Sequence, residues 1–95
     1  ANTAQMELRK IEAEVTAGQN KNAVFRLRKI ISQNPATDVV DDAYMLLGHI
    51  YYRQNDFNES YKAFLSILNS EYSTSREAEA QLGAARSLYK LGRYD

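Results

Sequence analysis

His49 is the only histidine in this 95-residue chain, and the chain has no cysteine. Zinc sites in proteins normally combine His and Cys ligands, so a site here would depend on carboxylates around one imidazole, and no closely spaced set is evident. No Ser–His–acid or Cys–His arrangement marks an activated nucleophile either. We therefore expect no metal, no cofactor and no enzyme activity, and we interpret His49 as a structural or groove-lining residue.

Two charged clusters have both a chemical and a structural interpretation. The first consists of Asp38, Asp41 and Asp42, which look like a metal-binding set but can also cap a helix and favour its dipole. The second consists of Arg26, Arg28 and Lys29, which could contact phosphates or merely solvate the outer face of a helix. We favour the structural interpretation of both, and we expect no nucleic-acid binding because twelve basic and twelve acidic residues cancel.

The chain contains a repeat that is marked by polar turns. Three segments that end a helical pattern begin at Gly18, Asn55 and Gly92, separated by 37 residues each time. Gly and Asn tolerate the left-handed backbone conformation that stops a helix, so their recurrence at one interval has a physical cause. No apolar stretch is long enough to span a bilayer, so we expect no membrane insertion.

Apolar residues between these turns follow helical spacing and predict five helices, at about 4–17, 21–33, 39–54, 57–70 and 75–91. Pro35 is expected to close the second helix, because proline disfavours helical geometry in the preceding residue. Short turns between consecutive helices predict antiparallel hairpins. The fold class is therefore all-α, in a single domain.

Particular residues in these helices resemble a known repeat family. The middle repeat reads Tyr44-x-x-Leu47-Gly48-x-x-Tyr51, then Phe57 and Ser60-x-x-x-Phe64; the first reads Ala23-x-x-x-Leu27, with Pro35 eight residues later. These residues are similar to the tetratricopeptide pattern of aromatic-x-x-Leu-Gly-x-x-Tyr, small-x-x-x-aromatic and closing proline. The resemblance implies hairpins stacked as a right-handed superhelix, with repeats at 4–40 and 41–77 and a half repeat at 78–95.

The chain departs from the family pattern in three respects. Tyr44 stands where tryptophan is usual, the middle repeat has no closing proline at Tyr72-Ser73, and the period is 37 residues rather than about 34. The longer period resembles a bacterial subtype found in outer-membrane assembly lipoproteins and in the periplasmic partner of the Tol–Pal system, which implies a location in the cell envelope, with the cytoplasm as the alternative. We align the third repeat by its turn, which predicts Ala85 at the position of Gly48.

The resemblance implies a scaffold that binds another protein in a concave groove built from the first helix of each repeat. The residues expected to bind the partner are Met45, His49, Tyr52, Arg53, Leu82, Arg86, Tyr89 and Lys90. They predict a partner segment with apolar anchors and acidic character. Relatives that hold the carboxylate tails of chaperones use Lys, Asn and Arg where this chain has Leu8, Glu12, Leu46, Glu79 and Gly83, so no such tail is expected as a ligand.

An alternative function belongs to a different class. The chain stops at Asp95, where the second helix of the third hairpin should begin, so we expect an uncovered apolar face. Leu88, Leu91 and Tyr94 are the residues expected on it. Such a face predicts a self-assembly module, and specifically a homodimer.

Overall fold

The computed structural model describes residues 3–33, 38–69 and 76–92. These residues form five α-helices and no strand: α1 (Thr3–Thr16), α2 (Ala23–Gln33), α3 (Asp38–Arg53), α4 (Phe57–Leu68) and α5 (Glu77–Lys90). The predicted all-α fold of consecutive helical hairpins is confirmed. Pro35 and Tyr72-Ser73 lie outside the described residues. None of the described helices is long and apolar enough to cross a membrane.

The helices end where the 37-residue interval predicts. Gly18, Asn55 and Gly92 have φ values of 82°, 62° and 76°, in the left-handed region. After α1 the N–H of Gln19 donates to the carbonyl of Glu14 at 2.8 Å, and after α3 the N–H of Asp56 donates to the carbonyl of Tyr51 at 2.9 Å. The two turns therefore satisfy the last helical carbonyls in the same way.

Substitutions at these turns test the backbone argument. A Cβ at Gly18 would meet nothing within 4 Å, so Gly18→Ala is expected to cost only the left-handed strain, about 1 kcal/mol of unfolding free energy. Asn55→Ala should cost a similar amount, whereas Asn55→Gly should be nearly neutral. Urea denaturation at constant m-value measures both. The neighbouring Gln19→Ala is the control, and an unchanged midpoint for Gly18→Ala would contradict the assignment.

The buried side chains form two clusters that meet at α3. The first joins α1, α2 and α3 with one residue of α4, and it consists of Leu8, Ile11, Val15, Ala23, Leu27, Ile30, Val39, Ala43, Leu47, Ile50 and Ala63. The second joins α3, α4 and α5, and it consists of Met45, Phe64, Ile67, Ala80 and Ala84. Tyr44 is partly buried and packs against both clusters. The helices therefore stack as neighbours, each burying its apolar side against the next.

Phe64, which is 1% exposed, lies between two helical glycines. A Cβ added at Gly48 of α3, or at Gly83 of α5, would lie 2.6 Å from the nearest ring atom of Phe64. Gly48 packs on Phe64 within one hairpin, whereas Gly83 packs on it from the next helix along the chain. Ala80, Ala84 and Ser87 are buried 37 residues after the buried Ala43, Leu47 and Ile50, so the packing of α5 keeps the 37-residue interval. Ala85, which is predicted at the position of Gly48, is exposed.

Gly83 lies 37 residues after Leu46, which packs against the first cluster. The turn and the buried residues of α5 therefore give the same register for the third repeat.

Two serines also connect the helices inside this region, and both are fully buried. Ser60 Oγ of α4 donates to the carbonyl of Gly48 at 2.8 Å. Ser87 Oγ of α5 lies 2.9 Å from the carbonyl of Gly83 and 3.0 Å from Ser60 Oγ. No buried side-chain polar atom of the described residues lacks a partner. The small side chains at these positions allow the three helices to approach closely.

Candidate protein-binding groove

The first helices of the hairpins, α1, α3 and α5, line a groove on one side of the molecule. It consists of two adjoining depressions of about 260 Å³ and about 440 Å³. The first is lined by Gln5, Leu8, Arg9, Glu12, Asp42, Met45, Leu46, His49, Arg76 and Glu79. The second is lined by Glu12, Val15, Thr16, Leu46, His49, Ile50, Tyr52 and Arg53. An extended segment or a helix would fit a surface of this kind.

The four partner-binding residues expected on α3 all line this groove. Met45 is only 4% exposed and belongs mainly to the second cluster. His49 packs edge-on against Phe64, with ring centroids 5.3 Å apart, and Tyr52 packs edge-on against Phe57 at 5.1 Å. Arg53, at the end of α3, is exposed. Of the four, His49, Tyr52 and Arg53 offer surface to a partner.

The four residues expected on α5, namely Leu82, Arg86, Tyr89 and Lys90, do not line either of these two depressions. The residues that contribute from this part of the chain are Arg76 and Glu79. Arg86 and Lys90 follow Glu79 by 7 and 11 residues, so at about 100° per residue they lie on the same side of α5 as Glu79 but further along the helix. Leu82 and Tyr89 are 51% and 65% exposed, but they lie on the opposite side of α5 from its buried residues.

A chain of charged groups crosses the groove from α3 to α5. Arg76 Nε donates to Asp42 at 3.0 Å, and Arg76 Nη1 donates to Glu79 at 3.3 Å. The Glu79 carboxylate also accepts a hydrogen bond from His49 Nε2 at 3.0 Å. That hydrogen bond, helped by the charges of His49 and Arg76, lowers the pKa of Glu79 against the opposing effect of burial. The hydrogen bond to Asp42 raises the pKa of Arg76.

The aspartates at the start of α3 lie where their negative charge stabilises the helix. Asp38 and Asp41 lie in the first turn of the helix, where negative charge is favourable. Burial raises the pKa of Asp41, and the charges of Asp38 and Asp42 raise it further. Across the described ranges, no group of three His, Cys, Asp or Glu side chains is placed to hold a metal ion.

The family model described as anaphase-promoting complex, cyclosome, subunit 3 matches residues 16–95. The chain belongs to this family. The match confirms repeats of the tetratricopeptide type, but it gives no support to the bacterial subtype. Repeats of this type mediate protein–protein interactions and are typically scaffolds without catalytic function. No curated protein and no solved structure matches the chain.

In this member of the subunit 3 family, Arg26 and Arg28 of the basic cluster on α2 contact side chains of the neighbouring helices. Arg26 forms ion pairs with Glu7 at 2.6 Å and with Glu14 at 2.7 Å, which raise its pKa and lower that of Glu14. Arg28 donates to the hydroxyl of Tyr51 at 2.8 Å, and this raises the pKa of Arg28. These contacts connect α1 to α2 and α2 to α3. They favour the structural interpretation of the cluster over phosphate binding.

Two groove cations of this subunit 3 family member have no ion-pair partner within the described part of the chain. Arg9 lines the first depression and Arg53 lines the second, while Glu12 borders both. Both arginines are exposed. Arg9 is not among the residues that the sequence predicted to bind the partner.

Proposed function

We propose that the chain is a scaffold that binds a segment of another protein in the groove between α1, α3 and α5. The observation that carries the proposal is the open groove, which offers an aromatic residue, Tyr52, and two cations, Arg9 and Arg53, that have no partner within residues 3–33, 38–69 and 76–92. Family membership supports it, since repeats of this type bind proteins and the family description names a subunit of a complex.

The charges of the groove refine the expected partner. The partner was expected to have acidic character, but the lining of the two depressions also includes the carboxylates of Glu12 and Glu79. We therefore propose a segment with an apolar residue that packs near Tyr52 and with separated acidic residues that pair with Arg9 and Arg53. A continuous run of acidic residues would be repelled by the groove carboxylates.

Charge reversal tests this proposal without disturbing the core. Peptides selected from a random display library against the wild-type chain serve as the partner. Arg9→Glu combined with Arg53→Glu should weaken their binding by about 10- to 100-fold, because like charges across an interface are strongly unfavourable. Fluorescence anisotropy gives the dissociation constants, and circular dichroism checks the helix content.

The matched control changes the same total charge away from the groove. Lys10→Glu combined with Lys29→Glu should leave the affinity within about twofold, because both residues are exposed and neither lines the groove. If this variant lost affinity and the groove variant kept it, the binding site would lie on the surface of Lys10 and Lys29 and the groove proposal would be rejected. Equal affinity in all three proteins would also reject it.

A further inference from the structure

The second hairpin, which α3 and α4 form, packs on the first hairpin through an uncharged face. Its residues are buried in the first cluster or pack against it, and they are Ala43, Tyr44, Leu47, Ile50, Tyr51 and Ala63. A face of this composition leaves water because the neighbouring hairpin covers it. We call these six residues the stacking face.

The 37-residue interval relates the two hairpins in packing as well as in sequence. The buried residues of α2 and three of the four buried residues of α4 are 37 residues apart, namely Ala23, Leu27 and Ile30, and then Ser60, Phe64 and Ile67. The fourth buried residue of α4 is Ala63, and its counterpart in α2 is Arg26. The exception therefore falls on the stacking face.

The positions of the first hairpin that correspond to the stacking face are mostly charged. Counting back 37 residues gives Met6, Glu7, Lys10, Ala13, Glu14 and Arg26, which we call the outer face. Four of these six residues carry a charge, where the stacking face has two tyrosines, a leucine and an alanine. The residue types at these positions are a property of the sequence itself, whatever covers the face.

The charges of the outer face are paired with one another. Arg26 Nη2 lies 2.6 Å from a carboxylate oxygen of Glu7, and Arg26 Nη1 lies 2.7 Å from one of Glu14. Lys10 is one helical turn from Glu14, on the same side of α1. The Glu7 and Glu14 side chains remain 41% and 29% exposed, so water completes their solvation.

The corresponding positions of α5 are uncharged again. They are Ala80, Gln81, Ala84, Ser87 and Leu88. Ala80, Ala84 and Ser87 are buried, and Leu88 is partly buried. Leu88 and Leu91, which the sequence predicted on an uncovered apolar face, are thus both partly buried, and Tyr94 lies outside the described residues. Among the described residues, the charged version of this face belongs to the first hairpin.

We propose that the outer face of the first hairpin is a capping surface, on which no further hairpin stacks. A stacked hairpin would remove four charged side chains from water, and Lys10 has no ion-pair partner within the described ranges to offset its desolvation. Terminal units of stacked arrays need a polar outer face for the same reason. Whatever chain adjoins α1, this surface then stays in contact with water. The proposal is independent of partner binding in the groove.

Cysteine labelling of the complete natural protein tests whether the surface is open. Ala13→Cys places a thiol on the outer face, and Ala43→Cys, the matched control, places one on the stacking face. Ala13→Cys should react with a maleimide within about tenfold of the rate of free cysteine, and Ala43→Cys at least about 100-fold more slowly, because Ala43 is reached only when the structure opens. Protection of Ala13→Cys to the same degree as Ala43→Cys would overturn the proposal.

A duplicated hairpin tests whether the charges prevent stacking. Residues 1–37 are repeated once ahead of the chain, which places a second copy of the first hairpin one natural interval before the outer face. The amide hydrogens of this copy should exchange as fast as those of the same hairpin alone.

The comparison protein gives the original outer face the residues of the stacking face, through Glu7→Tyr, Lys10→Leu, Glu14→Tyr and Arg26→Ala. The added copy should then exchange at least about tenfold more slowly, because it can bury an apolar surface. Slow exchange on the unchanged face would show that a hairpin stacks there, and fast exchange on both faces would show that the charges are not the cause. Either result would overturn the proposal.

Discussion

Gly48→Ala and Gly83→Ala should each lower the free energy of unfolding by about 2 kcal/mol, although alanine is the better helix former. Each new methyl group would lie 2.6 Å from the ring of Phe64. A ring at the protein surface could turn away, but Phe64 is 1% exposed and has a glycine helix on both sides. The steric cost therefore exceeds the gain of about 1 kcal/mol in helix propensity.

The two substitutions should also be coupled. Each methyl group pushes the ring toward the other glycine, so the double variant should lose more stability than the sum of the single variants. Phe64→Leu should relieve part of this loss, because the smaller side chain leaves room for one methyl group. Chemical denaturation of the single, double and triple variants measures these terms.

Ala85→Gly is the control for helix propensity, because Ala85 is exposed on the same helix as Gly83. It should cost about 1 kcal/mol. If Gly83→Ala stabilised the protein by the same amount, the contact with Phe64 would be unimportant.

The helices were predictable from sequence because their signals are local. Gly18, Asn55 and Gly92 stop a helix through their own backbone preferences, and all three adopt the left-handed conformation. Apolar spacing within each helix likewise identifies its buried side. These features need no knowledge of how one helix meets the next.

The groove was only partly predictable because it depends on where neighbouring helices meet. All four residues expected on α3 line the two depressions, whereas none of the four expected on α5 does. The depressions lie between α1 and α3 and reach the last part of the chain only at Arg76 and Glu79. No residue pattern within one helix shows how far such a depression extends.

The sequence alone also did not predict which charged residues contact each other when they are far apart in the chain. His49 and Glu79 are 30 positions apart, and Asp42 and Arg76 are 34 apart. Glu79 was considered only as the position of a missing carboxylate clamp. Side chains of opposite charge are numerous on any soluble chain, so their types alone do not show which of them meet.

The two buried clusters imply that stability is divided along the chain. All the buried residues of α1 and α2 belong to the first cluster, and those of α5 that belong to a cluster are in the second. The clusters share only the helices α3 and α4. In a stacked array, each unit is stabilised mainly by its neighbours, so a defect at one end should weaken that end first.

Ile11→Ala should therefore loosen the first hairpin selectively. Ile11 is fully buried in the first cluster, and truncation of such a side chain costs about 2–5 kcal/mol. Native-state hydrogen exchange should show faster exchange in α1 and α2, with α5 close to the wild-type rate. Ile67→Ala, a truncation of the same type in the second cluster, should instead affect α4 and α5 most. Equal acceleration in all five helices for both variants would mean that the clusters unfold as one unit, because the shared helix α3 would then transmit the full loss from one end to the other.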